Sequence, residues 1–104
     1  MSMEQTKLNG QAAAEQIEEW KRQHGEVYAV SVEESVCYLK RPTRQVLSAM
    51  SSLVNDPIRS AEFLLNNCWL AGDETIKTDD EKFLGVVSQL GELVKVKAAK
   101  LEKL

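Results

Sequence analysis

Two periodicities alternate along this chain. From Asn9 to His24, Ala13, Ile17, Trp20 and His24 recur three or four residues apart, which predicts a helix with one narrow apolar stripe. Glu15, Glu18, Glu19, Lys21 and Arg22 fill its other faces, and Glu18 with Arg22 makes a favourable i,i+4 pair. Asn9 is the expected cap and Gly25 the expected stop. The period then changes to two. Val30 and Val32 share a strand face, as do Cys37 and Leu39, and pairing Val32 with Cys37 and Val30 with Leu39 puts all four on one side of an antiparallel hairpin. That register needs a tight connection near Glu34 and Ser35, and since neither favours the left-handed conformations of a two-residue turn, a longer or bulged loop is an alternative. Tyr28 and Tyr38 flank the pair.

Helical spacing returns after Pro42. Thr43 is placed to cap a helix through about Val54, with Val46, Leu47, Met50, Leu53 and Val54 as its apolar face. Asp56 and Pro57 then open the most apolar stretch of the chain, as N-cap and first helical residue. Ile58, Ala61, Leu65, Cys68 and Trp69 line one face, Phe63, Leu64 and Leu70 widen it, and Gly72 is the expected stop. A helix so apolar around its circumference is expected at the centre of the fold, with neighbours on several sides. After the polar loop Asp73–Thr78, Thr78 and Glu81 read as a capping box, with Asp79 and Asp80 favoured by the helix dipole. The last helix carries Phe83, Val87, Leu90, Val94 and Leu101 on one side.

These elements predict a mostly helical α+β fold, one two-stranded antiparallel hairpin packed against about four helices in the order α-β-β-α-α-α. Residues 1–8 read as a polar tail without period and 9–104 as one globular domain. No further strand is visible elsewhere in the chain to cover the hairpin, so both of its edges are expected open. The first strand, Val27–Val32, carries no charge, and it is expected either to be covered by a helix or to pair with a second copy in a homo-oligomer.

Composition changes this picture little. The 104 residues suffice for one core, and a net charge of −3 argues against broad binding to nucleic acid or anionic membrane. No apolar run approaches the roughly 20 residues of a membrane span, and Met1–Gly10 lacks the basic and apolar parts of a signal peptide, so a cytoplasmic location is expected.

Candidate chemistry is sparse. Cys37 and Cys68 sit in apolar contexts without CxxC spacing, and His24 is the sole histidine, so no zinc set forms and both thiols are expected reduced and inert. A small enzyme built on either cysteine is the rival to a non-catalytic protein. The acidic run Asp73–Glu81 fails as a calcium loop, with Thr75 and Lys77 at its third and fifth positions and Leu84 at its twelfth. No catalytic, cofactor or metal site is expected. The short break between the second and third helices suggests a helix-turn-helix, yet the first turns of the third offer Ile58, Arg59, Ser60 and Glu62, with a single cation. A small regulatory or DNA-associated helical module is therefore the alternative reading. Lys40, Arg41 and Arg44 cluster where the second helix begins.

The run Tyr38-Leu39-Lys40-Arg41-Pro42-Thr43-Arg44, followed by Asp56-Pro57, Asn67-Cys68-Trp69-Leu70, Gly72-Asp73 and a terminal amphipathic helix, resembles small tail assembly chaperones of long-tailed phages and prophages. Their short hairpin ends in a tyrosine or valine, any residue, arginine or lysine, then proline, and leads into helices. The similarity covers roughly Trp20 to Leu93. It implies a non-enzymatic binding protein that engages the long helical tape-measure protein during tail assembly. It would also imply recruiting tube subunits, sometimes through a frameshifted extension, which these residues do not show. The residues expected to meet a partner are Arg41, Arg44, Phe63, Asn66, Asn67 and Leu70.

Overall fold

The molecule is arranged around a strand. In the computed structural model, which describes residues 8–94 and 99–104, β2 (Ser35–Lys40) is buried on both faces from Ser35 to Leu39. It lies between β1 (Val27–Val32) and a third strand, β3 (Trp69–Gly72), in an antiparallel sheet of order β1-β2-β3. The expected two-stranded hairpin is thus corrected to three strands, and the expected central helix gives way to β2. The fold is mixed α and β, with helices α1 (Ala14–His24), α2 (Arg44–Met50), α3 (Pro57–Cys68), α4 (Thr75–Thr78) and α5 (Asp80–Val87). Short 3₁₀ segments follow α2 (Ser51–Leu53) and α5 (Leu90–Val94).

β1 and β2 pair through Val32↔Ser35, Val30↔Cys37 and Tyr28↔Leu39, two residues tighter than the expected register. A shift of two leaves every side chain on its expected face. The loop is only Glu33-Glu34, and Glu33 takes φ 54, a conformation a glutamate strains to hold. That strain is why the sequence does not advertise a two-residue turn. Glu33→Gly is expected to raise stability by about 0.5–1 kcal/mol, seen as a thermal midpoint several degrees higher. An unchanged midpoint would refute the strain.

Register parity divides the sheet. Tyr28, Val30, Cys37 and Leu39 face a core with Leu64, Leu65, Cys68, Ile76, Phe83, Val86, Leu90 and Leu93. α1 covers the opposite face: Trp20 meets the Tyr38 ring at 5.5 Å, and the Ala12 N–H donates to the Tyr38 hydroxyl at 3.1 Å. α5 approaches β1 closely at Gly85, where a Cβ would lie 3.1 Å from Val32 Cγ2.

Several expected boundaries move for local reasons. Asn9 does not cap α1. Its N–H donates to Glu34 O and its carbonyl accepts from Val36 N–H, so it bridges to β2, and α1 starts after Ala13 with no side-chain cap. Leu8, expected in a tail, is held in a turn by Gln11, while residues 1–7 of that tail lie outside the described residues. Gly25 does end α1, at φ 84 with its N–H donating to Lys21 O. α3 begins as expected, with Asp56 Oδ1 accepting from Arg59 N–H at 3.1 Å, but it ends at Cys68. Trp69 and Leu70 belong to β3, and Gly72 is a strand residue against Cys37 instead of a helix stop. The loop expected at Asp73–Thr78 contains α4, and the cap of α5 is Asp79, accepting from Glu81 N–H, in place of Thr78. The last helix stops at Val87 and not near Leu101: residues 99–104 have no regular structure, and 95–98 lie outside the described residues.

Candidate functional site: an apolar groove between helices

α2 is a short helix, fixed by Thr43 Oγ1 accepting from Val46 N–H at 3.2 Å and extended by a 3₁₀ turn. It packs on α3 without closing over it. Leu47 and Val54 stand at one rim of the resulting groove, Met50 beside them, with Leu64 from α3 and Leu90 and Val94 from the last 3₁₀ segment. The opening exists because small residues line the facing surfaces. Ser60 and Ala61 leave α3 low at this point, and Gly91 has no atom within 4 Å of where its Cβ would be. The groove holds about 520 Å³, within the range of ligand-sized clefts. Val54 is 74% exposed and Leu47 38%, so both apolar side chains meet solvent at its rim. The helical spacing places Leu47, Met50 and Val54 only on an apolar face, without saying what covers it. Ser60, Ala61 and Gly91, small residues beside those apolar faces, are the one hint of a gap in the sequence.

One side-chain cluster has the composition of catalytic machinery. The Ser35 hydroxyl donates to Asp73 Oδ2 at 2.6 Å, and Lys82 Nζ donates to Ser35 Oγ at 3.0 Å and to Thr75 Oγ1 at 3.1 Å. Serine beside lysine and aspartate is the pattern of an activated nucleophile. Here Ser35 is fully buried, and its oxygen is enclosed by the two charges it bonds, leaving no approach for a substrate carbonyl. The cluster instead joins the start of β2 to the β3–α4 connection and α5. Asp73 is its hub: Oδ1 accepts from Thr75 N–H at 3.0 Å, and its own N–H donates to Val36 O. The Ser35 hydroxyl first, then the Thr75 amide, holds the Asp73 carboxyl below its ordinary range. No sequence signal joins positions 35, 73, 75 and 82 before the β2–β3 pairing is known.

Both cysteines are buried and free. Burial pushes the Cys37 thiol up to about 11, against a small opposing effect of Lys77, and burial raises Cys68 likewise. A neutral buried thiol is a poor nucleophile at neutral pH.

The six residues expected to meet a partner lie on α2, α3, β3 and the segment after β2. Arg41 is exposed and pairs with Glu26 at 3.3 Å, and Arg44 is exposed on the first turn of α2. Asn67 Nδ2 donates to Phe63 O at 2.8 Å, closing the last turn of α3, which gives that asparagine a local role. Asn66 is exposed and Phe63 half-buried. Leu70 is the extra residue of a bulge, since Leu39 pairs with Trp69 and Tyr38 with Ala71. None of the six lines the groove. Arg59, the cation at the start of α3, pairs with Asp56 at 3.7 Å. No described helix is long and apolar enough to cross a membrane. No protein-family model, curated protein or solved structure matches the chain.

Proposed function

We propose that this protein is a non-enzymatic binding module that holds an amphipathic helix of another protein, and that it serves as a phage or prophage tail assembly chaperone for the tape-measure protein. The observation that carries the reading is the apolar groove between α2, α3 and the last 3₁₀ segment, open at Leu47 and Val54. A helix recognised in a groove supplies apolar anchors at i, i+3, i+4 and i+7 against such a lining. A long helical client offers that spacing repeatedly. The similarity of Tyr38–Arg44 and Asn67–Asp73 to the tail chaperones adds the choice of client.

Co-expression with a long helical tape-measure candidate, followed by pull-down and titration, tests it. The wild-type chain is expected to retain the client. Leu47→Glu with Val54→Glu puts two charges at the rim and is expected to weaken binding at least tenfold, about 1.4 kcal/mol. Because both side chains are partly exposed, the variant is expected to keep its circular dichroism and unfolding midpoint. Undiminished binding by a folded variant would overturn the groove as the site, and no retention by the wild type would overturn the choice of client.

A further inference from the structure

We propose that β1 is a dimerisation edge, pairing antiparallel with β1 of a second copy about a two-fold axis at Ala29 to make one six-stranded sheet. This surface is separate from the helix-binding groove and does not depend on it. Among the described residues, no strand lies on the outer side of β1. Natural edges are blunted by charge, proline or a bulge. The six residues Val27–Val32 have none of these, and their pairing with β2 is unbroken.

The hydrogen-bond phase is fixed. Val36 donates to Asn9 O and accepts from Asp73 N–H, so its backbone points away from β1. Alternation then turns Ser35, Cys37 and Leu39 toward β1, where they bond Val32, Val30 and Tyr28. The backbone groups of Val27, Ala29 and Ser31 therefore point outward. About a two-fold axis at Ala29, Ala29 meets Ala29 and Val27 meets Ser31, which pairs all three outward positions in each copy.

Charge and backbone conformation select this register over its neighbours. Glu33 and Glu34 of one copy fall beside Gly25 and His24 of the other, at the end of α1 that also carries Lys21 and Arg22. An axis at Val30 would set Glu26 opposite Glu34, and like charges directly opposite destabilise a strand pair. An axis at Tyr28 would pair Ser31 with Gly25, whose φ of 84 is no strand conformation. Beside the edge runs a groove of about 490 Å³, bordered by Gly85, Gln89 and Leu93, with room for the partner's Tyr28 and Val30 side chains.

Sedimentation of the full chain is expected to show a dimer in the high micromolar range. Ala29→Pro removes an outward donor and is expected to weaken the dimer at least tenfold. Ala29→Cys is expected to crosslink between copies under mild oxidation, because paired Cα atoms about 5.5 Å apart suit a disulfide. Ser31→Cys would hold its two thiols about 13 Å apart along the strands and is expected not to crosslink. The wild type, with Cys37 and Cys68 buried, gives the background. A chain monomeric at high micromolar concentration overturns the proposal and leaves the edge to an extended segment of another protein. So does a dimer indifferent to Ala29→Pro, or crosslinking of Ser31→Cys equal to that of Ala29→Cys.

Discussion

Gly72→Ala is expected to destabilise the protein by about 3 kcal/mol, combining overpacking with an unfavourable backbone conformation. A Cβ at Gly72 would sit 2.6 Å from both Cα and Cβ of Cys37 and 2.8 Å from Val36 O. Those atoms belong to β2, the strand enclosed on both faces, so they cannot yield as the end of a flexible side chain would. The backbone at Gly72 also has φ 153, which an alanine resists. Relief requires β3 to move off β2, taking with it the Asp73 amide that donates to Val36 O. Denaturant unfolding should show a much lower midpoint with an unchanged slope. Gly91→Ala is the control. Its Cβ would meet nothing within 4 Å, and stability is expected to stay within about 0.5 kcal/mol of the wild type. Equal losses at the two glycines would show that close packing at Gly72 is not the cause.

Gly72 also shows where pattern reading stops. At the end of an apolar helical run, glycine is an ordinary stop signal, and nothing nearby contradicts it. The structure uses the same residue for close approach between strands. β3 has only four residues and a bulge at Leu70, so it offers no alternation to detect. Where a local rule acts alone, the sequence was legible: Thr43 caps α2, Asp56 caps α3 and Gly25 stops α1. The two strands of the hairpin and their facing were legible for the same reason. Its register was not, because Glu33 gives no sign of tolerating positive φ. The groove was the hardest feature to anticipate. It is a gap among three elements, and the side chains beside it carry the same apolar spacing as a filled core.

Ser35→Ala is expected to cost about 2 kcal/mol near neutral pH, and the loss should shrink in acid. The substitution removes the donor to Asp73 Oδ2 and an acceptor of Lys82 Nζ in one step, at a position with no solvent exposure to compensate. Lys82 keeps its bond to Thr75 Oγ1, so its head group is not stranded. The pH dependence follows from Asp73. Its carboxyl titrates below the ordinary 3.8 in the folded chain, with the Ser35 hydroxyl as the largest cause. A group with a depressed folded value binds its proton more readily in the unfolded chain. Its contribution is therefore present above about pH 4 and lost as pH falls through the lowered value. Without Ser35 the depression is smaller, and the acid limb should be shallower. Urea unfolding of both proteins at about pH 7 and again near pH 3 checks this, with the gap between their midpoints narrowing in acid. A gap constant across that range would show that the Ser35 hydroxyl acts through packing and Lys82, not through the charge on Asp73.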